Sequence, residues 1–285
     1  MVNSNIFIGI AAVMAVFQFY VLTDGQMWLG FLELVVFTGT VIVYNLHRLI
    51  SLPKKEMETH SEMHAWMQRH RKLLIGFLVF LGLHTAVGFF LLNFKSQLLL
   101  AGLFLIALFY AVPFYAKEGK KLRIRDFGMF KPFVLGLTWA TVTVTLPYFN
   151  SEQHIGLLDY GLIFSERFLF ISALCIPFDI RDLQFDKKNM YHSSLPNRIG
   201  IQKSITLAKY LFLAFVVLSI FHYSYLQSQH FFSLASLISA GSILYLLRDD
   251  VQHKNEYFYT FYLDGGIIVQ SLLICLSSYL NYQFL

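Results

Sequence analysis

The chain is short of charge. Only 14% of its 285 residues are Asp, Glu, Lys or Arg, where a soluble domain has roughly a quarter. It has two cysteines, Cys175 and Cys275, each inside an apolar run, which excludes a disulfide-stapled scaffold. Glycine and proline follow no three-residue period, so a collagen-like fibre is excluded as well. There is no CxxC pair, no glycine-rich phosphate loop and no Ser-His-Asp signature, which leaves a nucleotide-driven pump unsupported. No internal repeat or low-complexity segment is visible. The opening MVNSNIFIGI lacks a basic stretch and an Ala-x-Ala-like cleavage site, and reads as a first span rather than a removable signal.

What the chain has is apolar residues. They make up 56% of it, with 30 Phe and 16 Tyr, and the mean hydropathy is +0.58. One water-soluble core of this size cannot hide that much apolar surface, and a disordered chain would not carry it. The expectation is an all-α, polytopic membrane bundle forming one domain over 1–285, with aromatic belts at its two faces. Runs long enough to cross the hydrocarbon, which takes about 20 residues, occur at 4–23, 27–47, 73–94, 97–115, 129–149, 157–178, 204–226, 231–248 and 258–281. All Lys and Arg but Lys95, Arg167 and Lys209 fall in or at the edges of the loops after the second, fourth, sixth and eighth runs. The net charge of +5 therefore reads as orientation rather than nucleic-acid binding. It predicts a cytoplasmic N-terminus and an outer C-terminus. The three large loops then share the cytoplasmic face, where chemistry is expected. Nothing signals a compartment other than the bacterial cytoplasmic membrane.

The segment after the sixth run reads Pro177-Phe178-Asp179-Ile180-Arg181-Asp182-Leu183-Gln184-Phe185-Asp186. On a helix, offsets of 0, +3 and +7 put Asp179, Asp182 and Asp186 on one stripe about 60° wide. Like charges so placed repel, and a divalent cation reconciles them. Hard oxygen ligands suit Mg²⁺, which keeps several waters and bridges to phosphate oxygens. The alternative is a solvated helix end whose carboxylates pair with Arg181 and Lys187.

The sequel, His192-Ser193-Ser194-Leu195-Pro196-Asn197-Arg198-Ile199-Gly200, completes a pattern. Together these residues resemble the second motif of the UbiA superfamily of intramembrane prenyltransferases, in which spaced acids precede a Thr-Leu-Pro/Ala-x-x-Leu-Gly tail. Ser194 stands where the family has Thr. Tyr110-Ala111-Val112-Pro113 with Lys117 resembles the family's Tyr-x-x-Pro…Lys stretch, and Asp264-Gly265 resembles a recurring Asp-Gly in its last helix. The resemblance implies a nine-helix bundle and a cytoplasm-facing cavity. In it Asp179, Asp182 and Asp186 hold Mg²⁺, the metal grips the diphosphate of a prenyl donor, and ionisation yields an allylic cation for a lipophilic acceptor. On that reading Asn45, Arg48, Tyr110, Lys117, Lys120, Lys121, Arg123 and Arg181 are expected to bind substrate. The basic loop, which includes Arg125, also has a purely topological reading.

The first family motif, Asn-x-x-x-Asp-x-x-x-Asp, is incomplete. Asn45 is present, but positions 49 and 53 are Leu49 and Pro53. Either Arg48 takes over from a metal, its planar guanidinium suiting phosphate oxygens, or prenyl transfer has been lost. In the second case the chain is a lipid-phosphate binder or a partner subunit; terpene cyclisation is a further reading. A secondary transporter does not explain the Asp stripe.

Other polar residues have simpler readings. His60 and His64, with Glu62 between them and Trp66 beyond, fit an amphipathic interfacial helix better than a metal box, since no second HxxxH exists. Glu33 lies about 18 Å along its helix from Asn45, away from the expected site. Glu166 and Arg167 are expected to pair with buried neighbours, and Asp264 to border the cavity. Acceptor, chain length and protein partners are not legible.

Overall fold

The structure, a computed structural model, describes residues 4–23, 29–51, 62–111, 115–117, 120–122, 128–151, 155–186, 194–248, 251, 254–255 and 257–284. Among them the chain is helical apart from one small hairpin. The helices are α1 (Ile6–Thr23), α2 (Phe31–Ser51), α3 (Glu62–Arg69), α4 (Arg71–Leu91), α5 (Phe94–Ala111), α6 (Lys131–Ala140), α7 (Leu146–Asn150), α8 (Leu157–Asp186), α9 (Leu195–Ile199), α10 (Ile201–Ser219), α11 (His230–Leu246) and α12 (Asp264–Phe284). Strands β1 (Tyr115–Lys117) and β2 (Lys120–Leu122) pair antiparallel, Lys117 opposite Lys120.

Among the described residues, seven helical stretches are long and apolar enough to cross a membrane: Ile6–Thr23, Phe31–Ile50, Arg71–Leu91, Gly128–Asn150, Leu157–Leu183, Ile201–Leu226 and Phe258–Gln283. The other two of the nine predicted runs correspond to shorter apolar helices, Phe94–Ala107 and His230–Leu246. The run predicted to reach 115 stops as a helix at Ala111, and Tyr115 already belongs to β1. Pro113 explains the stop, since proline has no N–H to continue a helix and disfavours helical backbone before it.

The outer surface is what lipid requires. Leu73, Val87 and Phe90 of α4, Leu213 and Val217 of α10, and Leu276 of α12 are exposed. A soluble protein would not expose so much apolar surface; together with the spans it makes this an integral membrane protein.

The bundle is organised around α8, which packs against α6 on one side and α10 on the other; α1 packs against both α2 and α12. Lipid tails are as apolar as Leu, so close packing rather than water exclusion joins such helices, and small residues permit it. Gly136 of α6 does this against α8. A Cβ there would lie 2.1 Å from Ser172 Oγ and 3.0 Å from the Phe168 carbonyl oxygen.

Two prolines shape the central helices. Pro147 follows a π-helical segment, Thr141–Thr145, that joins α6 to α7. A proline ring crowds the carbonyl four residues earlier and leaves it without its partner, and the widened turn absorbs this. Pro177 lies inside α8 without ending it. At 30 residues α8 is about 45 Å long. That exceeds the ~30 Å hydrocarbon core, and its last turns carry Asp179, Asp182 and Asp186.

The Ser-Leu-Pro-Asn-Arg-Ile-Gly tail folds as α9 and braces those turns. Leu195 packs with Ile176 and Ile180 of α8 and Ala208 of α10. Gly200 then turns the chain into α10 with φ 84° and ψ 158°, a conformation open essentially only to glycine.

At the opposite end of the bundle the in-span charges find partners. Glu33 accepts bonds from the Tyr20 hydroxyl (2.8 Å) and the Gly30 N–H (2.7 Å). Glu166 accepts from the Tyr223 hydroxyl (2.7 Å) and meets His222 Nδ1 at 2.9 Å, while Arg167 donates to the Ala15 carbonyl (3.0 Å). Buried polar groups need such partners, and these tie α1 to α2, α8 to the π-helical segment Ile220–Leu226 that continues α10, and α8 to α1.

Candidate active site

Helix direction decides which side chains can meet. α2 and α8 run toward one end of the bundle, while α6 and the last span start from it. Arg48, Asp179 and Asp182 therefore share a layer with Lys131 and Asp264.

Asp179 is the innermost acid, with only 1% of its side chain exposed. Lys131, the first residue of α6, sets its Nζ 2.6 Å from Asp179 Oδ1 and 3.3 Å from Asp182 Oδ2. One ammonium thus bridges two carboxylates that lie a helical turn apart. The close approach of α6 to α8 at Gly136 brings Lys131 within this reach. On the other side of Asp182, Arg181 Nε and Nη2 each lie 2.9 Å from Oδ1. The Arg181 guanidinium sits over two rings, 5.3 Å from the centroid of Phe178 and 5.1 Å from that of Tyr259. Planar cation on aromatic face is a favourable arrangement that fixes the side chain. Arg48 and Arg181 both act electrostatically on the half-buried carboxyl of Asp264, which opens α12. Tyr44, one turn before Arg48, accepts a hydrogen bond at 3.2 Å from Trp139 Nε1 of α6.

The predicted residues divide accordingly. Asp179, Asp182, Arg181 and Arg48 belong to this layer. Asn45 is fully buried, and its amide is engaged elsewhere. Its Nδ2 donates to the Ser4 and Val41 carbonyls (2.8 Å each), and its Oδ1 accepts from Asn5 Nδ2 (3.0 Å), so it ties the start of α1 to α2. Leu49 packs beside Met67 and Leu74 in an apolar cluster under α3. Lys117, Lys120 and Lys121 lie on the hairpin, Asp186 closes α8, and Tyr110 lies at the end of α5. Their side chains, and all of Arg123 and His60, lie outside the described residues. The side chain of His64 does too.

The residue sequence reasoning passed over is Lys131. Its signal was present: a lysine at the very start of an apolar run, directly before Pro132, a residue that suits a helix N-terminus. As one more loop charge it carried only topology.

The donor chemistry fits a hard divalent cation. Asp179 and Asp182 offer carboxylate oxygens that converge on a point where a cation, the Lys131 ammonium, already sits. Among the described residues no three His, Cys, Asp or Glu side chains come together as a ready metal cluster.

The sequence matches the UbiA prenyltransferase family over residues 69–263. The chain belongs to this family. Solved structures agree on the fold. A UbiA homolog from Archaeoglobus fulgidus bound to GPP and Mg²⁺ superposes with a TM-score of 0.67 at 12% identity, covering 99% of each chain. The same homolog bound to DMAPP and Mg²⁺ gives 0.61 at 14% identity, over 100% of this chain and 97% of that one. A digeranylgeranylglyceryl phosphate synthase gives 0.60 at 15% identity, over 97% of each. No curated protein sequence gives a significant match.

Proposed function

We propose that this UbiA-family protein transfers a prenyl group from a prenyl diphosphate to an aromatic or other lipophilic acceptor. The observation that carries this reading is the charged layer itself. Two convergent carboxylates, Asp179 and Asp182, are bridged by Lys131 and flanked by Arg181 at one end of an apolar bundle. Support comes from the family match and from related folds that bind GPP or DMAPP with Mg²⁺. The reading takes 1–285 as one domain in the bacterial cytoplasmic membrane, with the N-terminus and the site on the cytoplasmic side and the C-terminus outside.

Asp179, Asp182 and Asp186 would hold Mg²⁺. Bound there, the ion would neutralise diphosphate charge and so ease departure of the leaving group. The chain's own residues do the rest. Arg48 and Arg181 offer guanidinium groups to the diphosphate oxygens. Lys117, Lys120, Lys121, Arg123 and Tyr110 would contribute further contacts to the substrate. Phe178 and Tyr259 form an apolar wall that limits water at the allylic carbon, where fixed charges act most strongly. The donor C–O bond breaks, a bond to the acceptor forms, and the acceptor releases a proton.

A second reading has its own observation. Leu49 stands where the family's first motif has an acid, and it is packed against Met67 and Leu74. On that reading the fold binds a prenyl diphosphate without consuming it. Pyrophosphate release from prenyl diphosphates of increasing length, with and without Mg²⁺ and an acceptor panel, separates the two. Acceptor-dependent release supports transfer. Release without acceptor points to cyclisation or hydrolysis, and binding without release points to the binder.

A further inference from the structure

We propose that Lys131 is a built-in counter-cation that holds the metal's place between Asp179 and Asp182, weakens divalent-ion binding, and moves to the donor diphosphate when the ion enters. This rests on the prenyl-diphosphate reading of the site and deepens it.

The geometry carries the first part. Asp179 is buried, and two carboxylates facing each other without a cation would be costly in a low-dielectric surrounding. Lys131 Nζ lies 2.6 Å from one and 3.3 Å from the other, the bridging position a metal ion would take. A divalent ion must therefore displace an ammonium already in contact.

Mobility carries the second part. Asp179 is buried in α8, but 26% of the Lys131 side chain is exposed. Lys131 also hangs from the first residue of α6 on a flexible four-carbon stem. An ammonium released there stays within a few ångströms of the two acids and next to Arg181, where a diphosphate bound to the ion would lie. Arg181 is not equivalent. It is clamped over Phe178 and Tyr259 and remains beside Asp182.

The two roles have opposite signs, which distinguishes them from mere structural support. In Lys131→Gln, Mg²⁺ binding to the purified full-length protein, measured by titration calorimetry, should tighten about tenfold, a change of about 1.4 kcal/mol. Binding of GPP at saturating Mg²⁺ should weaken by about the same factor. Lys131→Arg keeps the charge and should restore both values toward wild type. A residue that only supports the fold would weaken both. Unchanged or weaker Mg²⁺ binding in Lys131→Gln, with wild-type binding intact and lost in Asp182→Asn, overturns the role of Lys131 and leaves the metal site standing. Absence of Mg²⁺ binding in wild type and Lys131→Gln alike overturns the metal site and this proposal together.

A measurement on the unaltered protein covers a variant that does not fold. Acylation of the Lys131 amine, followed by mass spectrometry, should rise when Mg²⁺ is added and fall again with GPP. Reactivity indifferent to Mg²⁺ overturns the proposal.

Discussion

Lys131 and Asp179 are 48 residues apart in sequence and 2.6 Å apart in the structure. Their contact joins the first residue of α6 to the most buried acid of α8. It depends on a helix crossing that Gly136 makes close enough, and the site inherits its geometry from that crossing.

The acid next to it should be indispensable to chemistry and dispensable to folding. Asp182 is 30% exposed, and its ion pairs with Lys131 and Arg181 contribute less than about 1 kcal/mol to stability. Asp182→Asn is therefore expected to lower pyrophosphate release by about a hundredfold or more while leaving the thermal transition of the purified protein almost unmoved. Unchanged turnover would remove the metal assignment.

Gly136→Val tests the crossing. The added Cβ meets Ser172 Oγ at 2.1 Å and the Phe168 carbonyl oxygen at 3.0 Å, and the second of these is backbone that cannot swing aside. Overpacking of this kind costs about 1–3 kcal/mol. The melting temperature in detergent should fall, and turnover should fall with it because Lys131 loses its register on Asp179.

Asp264→Asn separates positioning from chemistry. Burial dominates the surroundings of its carboxyl, and Arg48 and Arg181 are the cations that act on it. Without the carboxylate both guanidinium groups are held less firmly, and KM for the prenyl diphosphate should rise about fivefold, equivalent to about 1 kcal/mol. The effect on kcat should be smaller. Steady-state kinetics at saturating acceptor gives both values, and a loss confined to kcat would place Asp264 at the reacting atoms instead.

Gly200→Ala probes the brace behind the acidic turns. The backbone there has φ 84° and ψ 158°, and forcing a Cβ into that region costs about 1–3 kcal/mol. A stability loss in that range, by thermal melting, is expected. Open space around the position means no steric clash adds to it.

Several of these features were readable before the structure. The placing of Asp179 and Asp182 one turn apart near the end of α8 follows from helical spacing alone, and the alternation of basic loops put α2, α8, α6 and the last span in the right directions to share a layer. Other features were not, because they belong to tertiary packing. Lys131 looks like any charge at a loop edge until α6 is laid against α8. Asn45 has the right identity and spacing for a phosphate ligand, yet Ser4, Val41 and Asn5 engage its amide, and those contacts exist only once α1 lies along α2. The π-helical segment at Thr141–Thr145 reflects Pro147, but hydropathy reads straight through it. The seven longest spans stand out by length and hydropathy. The apolar stretches Phe94–Ala107 and His230–Leu246 are shorter, and the alternation of basic loops supported counting them.

The most direct measurement is mass spectrometry of lipids extracted after wild-type protein and Asp182→Asn, each in liposomes, are given a prenyl diphosphate, Mg²⁺ and an acceptor panel. A prenylated acceptor formed by wild type and absent with Asp182→Asn is the expected result. Intact donor with wild type, despite Mg²⁺-dependent binding, would contradict prenyl transfer and leave a protein that holds the diphosphate without breaking its bond.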